Sequence, residues 1–201
     1  MSLWFWVLLL AIALLGWMAA WMLSQRPITN AQQLIQQRRY VDAVMEAERT
    51  GDSLHRAEAL KLLGRYEEAI ESYRSSDDPA AREGIALSLA HLGRDLDEAR
   101  KLMETQIAQH PQIQEFQALV LAYILLRSGE RDAALRLYGD HVELLETRFR
   151  DDYTDPDPLL SETLYLYGKL AEANGEEAQA DSLLRQAERW GWSAEPAALG
   201  S

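Results

Sequence analysis

The chain has 201 residues, enough for one domain with an appendage, and its net charge of −12 argues against nucleic acid, whose phosphates require clustered Lys and Arg. It contains no cysteine, which excludes disulfide bonds, thiolate metal sites and a cysteine nucleophile. Leu, Ala, Glu, Gln and Arg are frequent, and all of them favour helices, whereas Val, Ile and Thr are sparse. This composition predicts an all-α protein.

The N-terminal segment predicts a transmembrane anchor helix within residues 1–25. Residues 3–23 carry no charge, and a helix of that length spans about 31 Å, close to the roughly 30 Å hydrocarbon core of a bilayer. Tryptophans lie near both ends, as in the aromatic belts of membrane helices. A cleaved signal peptide is the alternative, but the run is longer than such peptides use and no basic residue precedes it.

The basic residues around this segment indicate its orientation. None precedes the apolar run, while Arg26, Arg38 and Arg39 follow it before the first acidic residue, Asp42. Because Lys and Arg are enriched on the cytoplasmic side, the sequence predicts a single-pass protein with its C-terminal domain in the cytoplasm. A periplasmic domain remains the alternative.

The rest of the chain, residues 26–192, contains a weak internal repeat. Its clearest unit is residues 62–74, LLGRYEEAIESYR, in which a glycine turn leads into a helix that carries Tyr, Ala and Tyr. The turn glycine recurs at Gly64, Gly93, Gly129 and Gly175, and the turn that begins at Gly93 contains one extra residue. The packing alanine recurs at Ala43, Ala69, Ala99, Ala134 and Ala180. The first of these units, around Ala43, lacks the turn glycine. Seven residues before each turn lies a small residue: Ala31, Ala57, Ala86, Ala122 and Gly168.

This pattern resembles the tetratricopeptide repeat (TPR) family over about residues 29–190. The resemblance implies a short α-solenoid of about five helix hairpins, with first helices on the concave face and second helices on the convex face. Pro79 and Pro111 are expected to end second helices, and a long second helix is expected over residues 132–150. An acidic, proline-containing loop is expected at residues 150–160, and a flexible tail is expected at residues 193–201.

The resemblance also implies a partner-binding groove lined by first helices. Its candidate residues are Phe116, Leu119, Val120, Tyr123, Arg127, Leu87, His91, Tyr165 and Lys169. Residues 117–126 are apolar on nearly every side, so this helix is either the buried centre of the array or a surface covered by a partner.

The sequence lacks the motifs of common catalytic sites, including HExxH, a glycine-rich phosphate loop and GxSxG. Its four histidines are isolated, so no metal, cofactor or small-molecule substrate is expected, and an enzyme is disfavoured. The anchor and repeats together resemble bacterial inner-membrane TPR proteins that help assemble other complexes. That resemblance implies a membrane-tethered scaffold or assembly factor for a membrane-associated protein partner. The alternative is an accessory subunit of a larger membrane complex, held through a small-residue patch on the anchor helix at Gly16, Ala19 and Ala20.

Overall fold

The computed structural model describes residues 30–109, 114–150 and 158–192, and these residues form helices and no strands. The expectation of an all-α fold is therefore confirmed for this part of the chain. In chain order the ten helices are α1 (Ala31–Gln36), α2 (Tyr40–Thr50), α3 (Ser53–Leu62), α4 (Tyr66–Arg74), α5 (Ala80–Leu92), α6 (Leu96–Gln109), α7 (Gln114–Arg127), α8 (Arg131–Arg150), α9 (Pro158–Asn174) and α10 (Glu177–Arg189). Helix α8 coincides with the long second helix that the sequence predicts.

The helices pack in succession as five hairpins. Each helix from α1 to α10 contacts the next one along the chain. The first helices of the hairpins also contact one another in order; they are α1, α3, α5, α7 and α9. Each second helix contacts only helices that are adjacent to it in the chain. This is the arrangement of a helical-repeat array, in which each hairpin buries an apolar face against its neighbours.

The turn inside each hairpin has the same backbone geometry. Gly64, Gly93, Gly129 and Gly175 have φ between 66° and 85°, the left-handed region in which glycine avoids the steric cost of a side chain. After Gly64, for example, the N–H of Arg65 donates to the carbonyl of Leu60 at 2.9 Å, which satisfies a free carbonyl at the end of α3. Each of the four glycines therefore lies at a left-handed turn between two helices.

The first hairpin makes the same turn without glycine. Arg38 has a φ of 59°, and the N–H of Arg39 donates to the carbonyl of Leu34 at 2.9 Å. The extra residue in the third hairpin is accommodated in a similar way, since Asp95 has a φ of 49°. Both residues occupy a conformation that costs a non-glycine side chain roughly 1 kcal/mol or more.

Small residues allow the helices to approach closely. The five packing alanines predicted from the repeat are at most 3% exposed, as are Ala31, Ala57, Ala86 and Ala122. At Gly168 a Cβ atom would lie 2.8 Å from Cγ of Leu184, so even a methyl group does not fit between α9 and α10. These small residues therefore lie at close contacts between packed helices.

The array closes on itself, whereas an open groove was expected. Helix α9 contacts α1 as well as α7, and Nη2 of Arg38 donates to the carbonyl oxygen of Arg189 at 2.9 Å. The first helices pack against one another in order from the first hairpin to the fifth, and the contact between α9 and α1 brings the two ends of the array together. The inner side chains of the first helices therefore face one another.

One expectation about a helix end is wrong. Helix α4 ends at Arg74, and Pro79 directly precedes α5, so Pro79 begins a first helix rather than ending a second one.

Other expectations fall partly or wholly outside the described residues. Within the described ranges, no helix has the length and apolar character needed to cross a bilayer. The predicted anchor at residues 3–23, Pro111, most of the acidic loop and the tail at residues 193–201 lie outside those ranges.

Candidate functional site

The inner face of the array contains a cluster of charged and aromatic side chains, which we call the inner cluster. Its members come from four first helices, from the start of α4 and from the turn after α10, and they are Lys61, Tyr66, His91, Tyr123, Glu162, Tyr165 and Trp192.

Glu162 is the acceptor at the centre of the inner cluster. One carboxylate oxygen accepts a hydrogen bond from Nζ of Lys61, and the other lies 3.0 Å from Nε2 of His91. The three residues come from α9, α3 and α5, so the carboxylate connects three first helices. The exposed fractions of the side chains are 4% for Glu162, 11% for Lys61 and 5% for His91.

The two charges of this pair stabilise each other in the interior. Burial raises the pKa of the Glu162 carboxyl, but the charge of Lys61 and the hydrogen bond from His91 outweigh it and hold that pKa at about 2. Burial likewise lowers the pKa of the Lys61 ammonium, and the adjacent Glu162 carboxylate more than reverses this, so the pKa is raised. Both groups therefore remain charged at neutral pH.

A second carboxylate near Lys61 behaves differently. Burial raises the pKa of Glu83 on α5 to about 7, because the charge of Lys61 lowers that pKa only in part and the negative charge of Glu162 raises it further. Glu83 is thus half protonated near neutral pH, although its neighbour Glu162 is fully ionised.

Four aromatic rings surround the imidazole of His91. The Tyr66 ring stacks on it at a centroid distance of 5.0 Å and an interplanar angle of 19°. The rings of Trp192, Tyr123 and Tyr165 lie 5.1, 5.5 and 5.9 Å from it, in tilted orientations. Such tilted and offset arrangements are the favourable ones for aromatic pairs.

Trp192 reaches the inner cluster because α10 ends in another glycine turn. Gly191 has a φ of 99°, and the N–H of Trp192 donates to the carbonyl of Ala187 at 3.0 Å. The Trp192 ring lies 5.2 Å from that of Tyr165 and is 5% exposed. Its indole Nε1 has no hydrogen-bond partner among the described residues, and the same is true of the nearby Tyr40 hydroxyl.

The predicted groove residues lie in different parts of the array. Leu87, Leu119, Val120 and Tyr123 are at most 2% exposed and lie in the interior, so they form no open groove surface in the folded chain. His91 and Tyr165 belong to the inner cluster, as does Tyr123, and Phe116 is half-buried beside the core.

The predicted basic residues lie at the edge of the array. Arg127 is exposed, and its guanidinium covers Gly93. Lys169 pairs with Glu172 on the same helix. The apolar helix α7 is thus the buried centre of the array, which is the first of the two alternatives drawn from the sequence.

Two central residues were missed by the sequence reasoning. Glu162 gives no local signal, because a single carboxylate near a helix start is common on exposed surfaces. Trp192 does give one, since Gly191 repeats the turn signature after α10 and places the tryptophan where the next hairpin would begin.

The inner cluster is equipped to pair charges and to hold aromatic rings. In the part of the chain that the structure describes, no three His, Asp or Glu side chains are grouped so as to hold a metal ion. No model of a known protein family matches the chain, and searches of curated proteins and of solved structures found no significant match.

Proposed function

We propose that this protein is a membrane-tethered scaffold for protein–protein interaction, built from TPR-type hairpins. Residues 3–23 form the tether, and the helical array recognises a segment of a membrane-associated partner. Support for the repeat type comes from the recurrence of the turn and packing positions, and support for the tether comes from the uncharged run with tryptophans at both ends.

One observation carries the binding proposal. The inner face of the first helices already holds a non-repeat segment, the chain's own turn at residues 190–192, through the rings of His91 and Tyr165. A helical-repeat array generally presents its concave face to ligand segments. Here the face accepts a short turn with an aromatic side chain, which is a feature that another protein can supply.

The three arginines after the tether support a cytoplasmic array on the inner membrane, with assembly of a membrane complex as its role. Fusion of a cytoplasm-dependent reporter after Ser201 should give an active reporter. Activity of a periplasm-dependent reporter instead would reverse the orientation.

The alternative function is an accessory subunit held through its membrane helix. The observation that favours it is the small-residue patch formed by Gly16, Ala19 and Ala20 in the sequence of the tether. In that case the tether itself carries the specific contact, and the array contributes little to binding.

Affinity capture from detergent extract distinguishes the two functions. Three forms should be compared: the full chain, residues 27–201 alone, and the full chain with residues 1–25 replaced by an unrelated single-pass helix. The scaffold predicts that the same partner is captured by all three forms and exchanges on washing. Retention in fixed stoichiometry by the natural chain only would establish the accessory subunit and refute the scaffold.

A further inference from the structure

We propose that Trp192 is an exchangeable plug, which occupies the position that a tryptophan-bearing segment of the partner takes when it binds. The ring seat, as we call the pair of rings formed by His91 and Tyr165, is the recognition surface. This inference rests on the proposed scaffold function and specifies what the partner must present.

The plug differs from the rest of the interior in its connection to the fold. The ring seat belongs to α5 and α9, which are held by helix packing on both sides, whereas Trp192 follows α10, the last helix in the described part of the chain. Its backbone is fixed by the glycine turn and by the hydrogen bond from its N–H to Ala187. Side-chain rotation of Trp192, or opening of the turn at Gly191 with loss of that one hydrogen bond, would move the indole out of the ring seat and leave buried Trp190 and every helix pair in place.

The plug also fits its position imperfectly. The indole Nε1 is a donor, and it is buried without an acceptor among the described residues, as is the hydroxyl of Tyr40 beside the turn. A buried donor without an acceptor retains its full desolvation cost. A partner segment that brings an oxygen acceptor along with its indole would occupy the ring seat more favourably than Trp192 does.

The geometry specifies the partner segment further. A Cβ atom at position 191 would lie 3.1 Å from the Tyr40 hydroxyl, which is tighter than an ordinary contact, and the turn has a φ of 99°, so glycine is favoured before the tryptophan. Arg38 is basic and exposed at this edge, which favours an acidic group close to the tryptophan. The expected ligand is a tight turn or chain end that contains a small residue followed by tryptophan.

The test uses the chain's own segment as the probe. A fluorescent peptide of residues 186–201 is titrated with the full chain in detergent, as wild type and as the variants Trp192→Ala and Gly191→Ala, and binding is followed by anisotropy. Gly191→Ala leaves the ring seat and the indole intact but strains the turn, because alanine disfavours a φ of 99°. Both variants should bind the peptide at least ten times more tightly than the wild type does. The same peptide with Trp192→Ala should not bind.

The matched control is Gly129→Ala, which places alanine at a φ of 82° in the turn between α7 and α8, with no atom within 4 Å of the new Cβ. It should leave peptide binding at the wild-type level. If Gly129→Ala bound the peptide as tightly as Trp192→Ala and Gly191→Ala do, the proposal would be refuted, because the tighter binding would then come from a general loosening of the fold. Folded Trp192→Ala and Gly191→Ala proteins that fail to bind would also refute it. So would loss of cooperative unfolding in both variants, because residues 191–192 would then belong to the core.

Capture of a partner together with failure of the peptide test would refute the plug and leave the scaffold standing. Peptide binding to the two variants without any captured partner would show that Trp192 exchanges at the ring seat, but it would refute the scaffold and with it the partner whose position Trp192 holds.

Discussion

Lys61 on α3 and Glu162 on α9 form a buried ion pair across the inside of the array, although 101 residues separate them in the chain. Glu162 also contacts His91 on α5, so one carboxylate joins the second, third and fifth hairpins. An ion pair of this kind loses most of its hydration, and its two members depend on each other for compensation.

Removing one member should therefore destabilise the fold strongly. Glu162→Gln preserves the shape but leaves the Lys61 charge buried, and we expect a loss of about 3–5 kcal/mol in the free energy of unfolding, measured by urea denaturation with circular dichroism. The double variant Lys61→Met, Glu162→Leu should lose less than the single variant. Glu172→Gln, which breaks an exposed pair with Lys169, should cost under about 1 kcal/mol. A wild-type midpoint for Glu162→Gln would show that the pair does not hold the array closed.

The raised pKa of Glu83 predicts a dependence of stability on pH. The ordinary pKa of 4.5 applies to the unfolded chain, and the folded value is about 7. Between these values the unfolded chain releases a proton that the folded chain keeps, so stability falls as pH rises from 4.5 to 7 and is constant above. Glu83→Gln should abolish this fall and stabilise the protein at pH 8, by at most about 3 kcal/mol.

Glu162 changes stability with pH in the opposite direction to Glu83, and it does so at lower pH. Its folded pKa is about 2, so its contribution is present above pH 4.5 and is lost as pH falls from 4.5 towards 2. Acid unfolding should therefore persist in Glu83→Gln. The assignment to Glu83 would be contradicted if the wild-type protein melted at the same temperature at pH 5 and pH 8 and if Glu83→Gln showed the same pH dependence as the wild type.

Replacing either of two helical glycines with alanine should change the stability of the fold, but in opposite directions. A Cβ atom at Gly84 on α5 would lie 2.2 Å from Cζ of the Tyr73 ring, which is 2% exposed and cannot move aside. Gly84→Ala should therefore cost about 1–3 kcal/mol through overpacking. Gly139 on α8 has no atom within 4 Å of such a Cβ, and Gly139→Ala should add about 0.5–1 kcal/mol through helix propensity. Thermal melts of the two variants should shift in opposite directions, and a shared direction would refute the packing at Gly84.

The local elements of this fold were predictable from the sequence because their causes are local. A left-handed turn favours glycine at Gly64 or Gly129, and close helix packing favours alanine at Ala69 or Ala134. Arg38 shows that the register holds even where glycine is missing, because Tyr40 and Ala43 follow at the expected spacing.

Closure of the array was not predictable in the same way. It depends on small rotations between hairpins that add up over the chain, and only this sum places Glu162 beside Lys61 and His91. The same closure buries Tyr123, whose sequence context fits a buried helix and a binding surface equally well. The predicted anchor at residues 3–23 remains a prediction, which resistance of the full chain to carbonate extraction would support.

The packing alanines offer a direct test of the repeat register. Ala69, Ala99 and Ala134 are 0% exposed, so leucine at any of them should overpack a hairpin and cost about 1–3 kcal/mol. Ala180→Leu should do the same on α10, whereas Ala178→Leu on the exposed side of that helix should have little effect. Urea midpoints provide the measurement, and wild-type stability in all the buried variants would refute the register.

Tyr123 distinguishes a buried centre from a binding surface at α7. Its side chain is 1% exposed, and its ring lies 5.5 Å from His91 and 6.2 Å from Tyr165. Tyr123→Ala should therefore cost about 3–5 kcal/mol and lower the melting temperature markedly, as expected for truncation of a large core side chain.

Tyr123→Phe should have a much smaller effect, because the ring and its contacts are kept. The double variant Glu67→Ala, Glu68→Ala should change the free energy of unfolding by under about 1 kcal/mol, because Glu67 is exposed and Glu68 loses only a solvent-accessible ion pair with Arg65. A Tyr123→Ala protein that melts like the wild type but loses the captured partner would contradict the buried assignment. Tyr123 would then be an anchor on an exposed surface, and α7 rather than the ring seat would be the place where the partner binds.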